Sequence, residues 1–455
     1  MSLDDVQLMV AFVISVAVLV VLISKYSLSP FVSLLISTVV LSLVTGLELA
    51  LAWEHFAVGV GSILSSTAMV IGLGAMTGVL LQRSGGASAI ALKMVDVLGV
   101  NRLGWAMWMV GLLVGVGVWF TVGLVLLVPI AISLARVARV SILLPAMSML
   151  AGLSAMHGLA PPHPGPLVAI SLLGADTGRT ILWSLVVGSI SAAVAGPIFW
   201  RWFDGRIELP LFDQSVEDDS NASTKSCPIG FLSPLVVISL PIIMMLLGSF
   251  SQSVITTNDR LGPASSGIAK SLAALGTPTM AMLVGLMVAY VLLGARCGFS
   301  RKSIARMTEE SLYPVANVLL VVGAGAGFSR VLIACGVGET LGELAQQLPV
   351  PTLVLGWLIA AAFRVTTGSA TTAITAAGGI VNVMVAGDHS INRELLVLAL
   401  GAGSLTFSHV NDGGFWFVKE LFSLTLQQTL KTWTVLDTVL SLVALAVMLI
   451  IDSFV

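Results

Sequence analysis

The chain has 455 residues, of which 57% are hydrophobic and only 10% are charged, and its mean hydropathy is +1.04. Soluble domains carry about 25% charged residues, so the composition excludes an ordinary soluble protein and indicates a multi-pass membrane protein. The formal net charge of -2 gives no reason to expect a nucleic-acid partner. The three cysteines are scattered, without metal-site spacing or enough members for a disulfide framework, so we expect neither a metal nor a redox site.

Apolar blocks that could cross a hydrocarbon core of about 30 Å recur along the whole chain. The first, Val6 to Ile23, follows Asp4 and Asp5 rather than the basic start of a signal peptide, which predicts a retained span. In the first half the blocks occupy residues 6–24, 28–52, 57–82, 103–135, 141–174 and 178–203. In the second half they occupy residues 230–250, 271–295, 312–334, 352–386, 394–424 and 431–454.

An acidic, serine-rich interval divides the chain near its middle. It predicts a cytoplasmic linker at 206–228 between an N-terminal membrane repeat, 1–205, and a C-terminal membrane repeat, 229–455. The halves also share local sequence, since Val70–Gly85 resembles Val321–Gly336, and further glycine, histidine and tryptophan pairs recur roughly 250 residues apart. These matches predict an internal repeat.

The fourth and fifth blocks of each half are about 33 residues long, too long for one ordinary span, and each is interrupted. The fourth blocks contain "WFTVG" (119–123) and "RVTTGSATT" (364–372), which suit the tips of re-entrant hairpins. The fifth blocks contain "HGLAPPHPGP" (157–166) and "SHVNDGGF" (408–415), which suit broken helices because proline removes a backbone donor and clashes with the preceding turn. Each half then has about five crossings plus one hairpin. An odd number of crossings makes the two halves inverted repeats of an all-α membrane protein.

The distribution of basic residues supports an orientation for this topology. Most Lys and Arg residues fall on one side of the membrane, and only five fall on the other: Arg179, Arg260, Lys270, Arg330 and Arg393. Positive charge is enriched in cytoplasmic loops. Both termini are therefore predicted on the outer side.

The interrupted segments are the predicted functional site. Irregular backbone at membrane depth is tolerated only where protein or a polar cavity satisfies it, and inverted repeats with paired broken helices are typical of secondary transporters, whose sites form where the breaks meet. These segments supply the predicted substrate-binding residues, which are Thr121, Gly123, His157, Pro162, His163, Arg364, Thr367, Gly368, Ser369, His409 and Asn411.

Arg364 is the most informative of these residues, because an arginine inside an apolar block is costly and needs a partner. Its planar fork suits a carboxylate. The neighbouring Thr367, Gly368 and Ser369 offer hydroxyls and close backbone approach to a polyhydroxylated ligand. The alternative is that Arg364 pairs with an internal acid such as Asp412, and the two interpretations are compatible in different states.

Asp412 is the predicted carrier of a coupling proton, because glycines open the helix beside a carboxylate there. His157, His163 and His409 could also titrate near neutral pH. Membrane histidines are commonly structural hydrogen-bonding groups, and that alternative stays open for all three.

Four segments, "HGLAPPHPGP", "FRVTTGSATTA", "SHVNDGGFWFVKE" and "GADTGRT", resemble signatures of the gluconate permease family of bacterial inner-membrane symporters. The similarity runs from about residue 6 to the C-terminus. It implies membership of the ion transporter superfamily, proton-coupled uptake of gluconate or a related sugar acid, a homodimer in the lipid bilayer, and elevator-type movement. We expect no cofactor. The expected coupling ion is a proton, and sodium is the alternative.

One position departs from the family pattern and keeps other functions open. The family usually has an acid in the hairpin pattern aromatic-acid-x-Gly, where this chain has Thr121. Alternatives are a carrier of a small hydroxy amino acid such as D-serine and an uncoupled facilitator. From other classes, the alternatives are an intramembrane enzyme using His157 or His409 with Asp412, and a passive channel.

Overall fold

The computed structural model describes residues 3–138, 140–203, 229–257, 263–337, 340, 350–386, 388, 390–409 and 412–454. Within these residues all regular secondary structure is helical, as the sequence predicts. The predicted linker, 206–228, lies outside the described residues.

The first half contains nine α-helices in its described residues, besides the short 3₁₀ helix Val100–Arg102. They are α1 (Leu3–Ser24), α2 (Pro30–Thr45), α3 (Leu49–Arg83), α4 (Gly86–Leu98), α5 (Leu103–Gly117), α6 (Phe120–Ala138), α7 (Leu143–Leu159), α8 (Pro164–Leu173) and α9 (Thr177–Arg201). The final helix contains one π turn, Val194–Ile198.

The described part of the second half contains ten helices. They are α10 (Leu232–Thr257), α11 (Pro263–Leu275), α12 (Pro278–Cys297), α13 (Arg301–Glu310), α14 (Tyr313–Ala334), α15 (Thr352–Thr367), α16 (Ala370–Met384), α17 (Arg393–Gly403), α18 (Gly413–Leu421) and α19 (Leu426–Asp452). In α19 a π turn occupies Leu430–Thr434.

Seven spans in the described residues are long and apolar enough to cross a membrane, and the bent pair Leu49–Ser65 and Thr67–Arg83 makes an eighth. Two of the predicted crossings fall short of that measure. They are α2, which has only 16 residues, and the block at 394–424, which is broken between α17 and α18. The chain is therefore a multi-pass helical membrane protein, in which the break of the 394–424 block is one that the sequence predicts.

Several predicted block limits are wrong. The third helix begins at Leu49 rather than at residue 57, and the block predicted at 271–295 is instead α12, beginning at Pro278, with α11 as a separate helix. Two further helices, α4 and α13, were not predicted as helices at all. Both are polar on one face, for example through the exposed Lys93–Asp96 pair of α4, so a search for continuous apolar blocks passes over them.

Both fourth blocks are split into two shorter apolar helices. The first break lies at Val118 and Trp119, between α5 and α6, where Val118 has extended backbone. The second lies at Gly368 and Ser369, between α15 and α16. Gly368 adopts a left-handed conformation with φ of +71°, which glycine tolerates without a Cβ penalty, and the Ser369 side chain caps α16.

The fifth blocks are also broken. In the first half, α7 ends at Leu159 and α8 begins at Pro164, a favoured residue for the first turn of a helix. In the second half, Asp412 caps the start of α18 by accepting a hydrogen bond from the backbone nitrogen of Gly414 at 2.8 Å. Both halves thus show the same order of a split pair, a helix, a break and a short helix before the final long helix.

Helices around the breaks pack closely and bring the two halves together. Helix α5 lies against α7, where a Cβ on Gly111 would come within 2.3 Å of the Met149 carbonyl oxygen, so only glycine permits this approach. Across the halves, α18 packs against α6, and α16 packs against α8. The breaks of the second half are thereby placed beside those of the first.

Large apolar side chains cover much of the outer surface. Examples are Leu43 on α2, 65% exposed, Leu182 on α9, 53% exposed, and Phe250 on α10, 70% exposed. Water would make such exposure costly, whereas lipid tails are as apolar as the side chains. The polar groups of interest lie inside the helical bundle.

Candidate functional site

A cavity of about 320 Å³ lies where the breaks come together. Its walls are formed by the α5–α6 break, the α15–α16 break, the start of α18, and side chains from α7 and α19. The lining residues are Trp119, Phe120, Thr121, Ser154, His157, Arg364, Thr367, Gly368, Ser369, Ala370, Thr371, Leu405, Asp412, Gly413, Gly414, Trp433 and Asp437.

Three helices begin at this cavity. Phe120 and Thr121 open α6, Ser369 to Thr371 cap and open α16, and Gly413 and Gly414 open α18. The first turn of a helix has backbone N–H groups without intrahelical partners and carries the positive end of the helix dipole. Three such ends around one cavity favour a negatively charged ligand.

The Arg364 guanidinium adds a full positive charge to this cavity. Its side chain is only 4% exposed. The Nη1 group donates to the Gly368 carbonyl oxygen at 2.6 Å, and Nη2 donates to Oδ2 of Asp412 at 2.5 Å. The buried Nε has no hydrogen-bond partner among the described residues. The structure therefore shows the internal ion pair that the sequence analysis gave as the alternative role of Arg364.

Asp412 accepts hydrogen bonds from two further groups besides Arg364. Its Oδ2 also accepts a hydrogen bond from the Ser408 hydroxyl, and its Oδ1 accepts from the Gly414 backbone nitrogen at 2.8 Å. The Trp433 indole donates to the same Ser408 hydroxyl at 2.7 Å. This chain of contacts ties the α17–α18 break to α19.

The cavity brings together seven of the predicted site residues from distant parts of the chain: Thr121, His157, Arg364, Thr367, Gly368, Ser369 and Asp412. The His157 ring lies 6.1 Å from the Phe120 ring and 5.2 Å from the His163 ring, measured between centroids. Its Nδ1 has no hydrogen-bond partner in the described part of the chain.

Four other predicted residues do not line this cavity. Gly123 packs against Leu153, where a Cβ would meet the leucine side chain at 2.8 Å. Pro162 and His163 line a separate cavity of about 30 Å³ instead. His409 places its Nε2 3.0 Å from the Val365 carbonyl oxygen.

These placements have local physical reasons. The Nε2 atom of His163 lies 2.5 Å from the Gly115 carbonyl oxygen, so this histidine joins the break to α5. Pro162, His163, His409 and Gly123 therefore lie near the cavity without lining it. Asn411 lies outside the described residues.

Four residues of the cavity lie outside the interrupted segments that the sequence singles out, which are Ser154, Leu405, Trp433 and Asp437. The Asp437 side chain is buried, with 1% exposure, inside the last apolar block. Its Oδ1 accepts a hydrogen bond from the Ser154 hydroxyl at 2.6 Å. The sequence does carry a signal for it, because a buried acid inside an apolar block is as costly as the arginine at position 364.

Comparison with known proteins gives consistent results. GntP family permease is the family that matches, over residues 7–455. The chain is 38% identical to the gluconate permease of Pseudomonas aeruginosa over 98% of both chains. It is 29% identical to the Gnt-II system L-idonate transporter of Escherichia coli, over 96% of this chain and 97% of the relative.

One solved structure supports the fold independently. The YdaH transporter of Alcanivorax borkumensis superposes with a TM-score of 0.60 over 90% of each chain, at 15% sequence identity. At that identity the likeness concerns the fold alone. The arrangement of helices described above is therefore one already found in a membrane transporter.

Proposed function

Because this chain belongs to the GntP family of permeases, we propose that it carries gluconate or a related sugar acid across the bacterial inner membrane, coupled to protons. The relatives named above are a gluconate permease and an L-idonate transporter. Both names refer to sugar acids, which combine one carboxylate with several hydroxyl groups. The proposal therefore requires a site that binds a carboxylate and a polyol together.

The observation that carries the proposal is the buried Arg364 beside three helix starts in one cavity. The guanidinium and the positive ends of the helix dipoles suit the substrate carboxylate. The hydroxyls of Thr121, Thr367 and Ser369 line the same cavity and suit the substrate hydroxyls. The volume, about 320 Å³, falls within the range of small-molecule sites.

Asp412 has a defined place in this proposal. It pairs with Arg364, whose Nη2 lies 2.5 Å from Oδ2 of Asp412. An incoming substrate carboxylate offers the guanidinium the same chemistry and competes with Asp412 for it. The remaining donors to Asp412, from Ser408 and the Gly414 backbone, keep that side chain in place when Arg364 turns to the substrate.

The wider architecture is part of the same proposal. The matching order of breaks in the two halves supports two inverted repeats, each with a re-entrant hairpin, and the basic-residue bias supports termini on the outer side. We also propose a homodimer, since the family resemblance implies one.

A second candidate is transport of a small hydroxy amino acid such as D-serine. The carboxylates of Asp412 and Asp437 in the same cavity favour it, because an amino acid brings an ammonium group as well as a carboxylate. An uncoupled facilitator is the third candidate, since Thr121 cannot carry a proton. Substrate and coupling therefore need separate tests.

Counterflow in proteoliposomes tests the substrate. Vesicles containing purified protein are loaded with unlabelled gluconate and diluted into trace labelled gluconate, without any pH gradient. We expect transient labelled accumulation that L-idonate inhibits and D-serine does not, and that Arg364→Ala protein lacks. Inhibition by D-serine alone would favour the amino acid carrier. Equilibration without any counterflow would indicate a channel and contradict the proposal.

A further inference from the structure

We propose that Asp437 binds the proton that accompanies the substrate, an inference that rests on the proposed function of sugar acid transport. Asp437 lies on α19 and lines the same cavity as Arg364 and the predicted substrate hydroxyl partners. Its role is to supply a proton site inside the cavity, separate from the groups that bind the sugar acid.

The surroundings of the Asp437 carboxyl group suit a proton. The side chain is 1% exposed, and its single hydrogen-bond donor among the described residues is the Ser154 hydroxyl at 2.6 Å. The other oxygen, Oδ2, is buried without a partner in the described part of the chain. An ionised carboxylate in such a place loses its hydration without replacement, whereas a protonated one carries no net charge.

Asp412 is the natural comparison, because the sequence alone predicts that it carries the proton. Its carboxylate receives three donors, from Arg364, Ser408 and the Gly414 backbone nitrogen. It also caps the start of α18, where the helix dipole stabilises negative charge. The ionised form of Asp412 is thus well supported, and the ionised form of Asp437 is not.

The charged groups inside the cavity also favour Asp437 as the proton site. Among its described lining residues, Arg364 is the one group that is always positive, and Asp412 and Asp437 are the two acids. A substrate carboxylate brings a third acid to a single guanidinium. The acid with the fewest donors is the one that takes a proton when the substrate enters, and that acid is Asp437.

The other charged groups near α19 do not alter this count. Helices α7, α9, α15, α17 and α18 pack against α19. The charged side chains of α18, Lys419 and Glu420, pair with each other at 2.7 Å. From α7 and α15 the groups that share the cavity with Asp437 are His157 and Arg364. The starts of α9 and α17 form a polar cluster that does not line the cavity, in which Glu394 accepts from the Asp176 backbone and Arg393 donates to the Leu173 carbonyl oxygen. Lys431, at the beginning of α19, is exposed.

The experiment uses full-length protein in proteoliposomes and labelled gluconate as the probe. Two quantities are measured on the same vesicles: counterflow without a pH gradient, and net accumulation driven by an alkaline interior. For wild type we expect both. For Asp437→Asn, which resembles the permanently protonated acid, we expect counterflow to persist and gradient-driven accumulation to fall at least tenfold.

Three further variants make the result specific. Asp452→Asn, the same chemical change at an exposed position of the same helix, should behave as wild type. Asp437→Glu retains a titratable acid and should recover part of the accumulation. Ser154→Ala removes the only described donor, so the external pH at which driven uptake is half-maximal should rise by about one unit. This last readout remains available if Asp437→Asn protein does not fold.

Each outcome decides a separate question. Absence of gluconate counterflow in the wild-type protein would contradict the proposed transport function itself. Full gradient-driven accumulation by Asp437→Asn, or an unchanged pH profile in Ser154→Ala, would overturn the proton assignment alone. If Asp412→Asn loses accumulation while Asp437→Asn keeps it, the proton belongs to Asp412.

Discussion

Arg364 uses only part of its hydrogen-bonding capacity in this structure. Two of its nitrogens are bonded, to the Gly368 carbonyl oxygen and to Asp412, and Nε has no described partner. We expect Arg364→Lys to weaken gluconate binding by about 1 to 3 kcal/mol, roughly 5- to 150-fold in Kd, because lysine keeps the charge but loses the planar fork.

Tryptophan fluorescence of purified protein can measure that loss, since Trp119 and Trp433 line the cavity. The matched control is Arg179→Lys, at an exposed position near the start of α9. The control should bind as wild type does. Equal affinity in Arg364→Lys and wild type would move the carboxylate site elsewhere in the cavity.

The Asp412 carboxylate is expected to stabilise the empty protein by pairing with Arg364. Removing one partner of a buried ion pair typically costs about 3 to 5 kcal/mol, because the other charge stays buried without a counter-ion. Asp412→Asn should therefore melt at a lower temperature than wild type without substrate. Saturating gluconate should raise the melting temperature more in the variant than in wild type, because the substrate carboxylate replaces the missing charge. Identical gluconate-induced shifts in the two proteins would argue against competition for Arg364.

At the level of helices, the α15–α16 break positions Arg364. Gly368 combines a left-handed backbone with a carbonyl oxygen that accepts from the guanidinium. Gly368→Ala should cost about 1 to 2 kcal/mol in backbone strain and also displace Arg364, so thermal stability and gluconate affinity should both fall. Gly46→Ala is the matched control, because Gly46 ends α2 with φ of +77° and has open space for a Cβ. If the control loses as much affinity as Gly368→Ala, the effect is general destabilisation.

The sequence predicted these breaks well because their signals are local. Proline, glycine and polar residues interrupt apolar blocks where α5–α6, α7–α8, α15–α16 and α17–α18 separate. It predicted less well which side chains at the breaks line the cavity. His163 and Pro162 belong to the most conspicuous motif of the chain, yet they line a separate small cavity. Which side of a break faces the cavity depends on long-range packing, such as α16 against α8, which local patterns do not contain.

Asp437, in contrast, lines the cavity but was not predicted as a site residue. Its helix reads as one continuous apolar block, so no interruption drew attention to it, although a lone buried acid is costly there. Its importance becomes visible only when α7 brings Ser154 within 2.6 Å and the break residues close the cavity beside it. A search for single charges inside apolar blocks would have found Arg364 and Asp437 together.

For the whole molecule, the predicted orientation can be tested at the two ends of α2. Lys25 precedes this helix and Glu48 follows it, and both are exposed. In a background with the three native cysteines replaced, Lys25→Cys should react with an impermeant thiol reagent only from the cytoplasmic side. Glu48→Cys should react only from the outer side. Modification of both positions from one side would contradict a crossing by the 16-residue α2 and the five-crossing repeats built on it.

Charge balance across the whole transport cycle gives the last prediction. With Asp437 ionised, the empty cavity holds one positive group, Arg364, and two negative ones. With Asp437 protonated and a monovalent sugar acid bound, the cavity again holds one positive and two negative groups, because the substrate replaces the charge that the proton removes. The loaded and empty sites then cross the membrane with the same charge, so a membrane potential favours neither.

We therefore expect a pH gradient, alkaline inside, to drive gluconate accumulation, and a potassium diffusion potential of either sign to leave it nearly unchanged. One elementary charge moving through 100 mV corresponds to about 2.3 kcal/mol, or roughly a fiftyfold change in accumulation ratio, so even one uncompensated charge would be obvious. Accumulation driven by an inside-negative potential would require more than one proton per gluconate. In that case a second site, with Asp412 or His157 as the groups nearest the substrate, would have to share the coupling with Asp437.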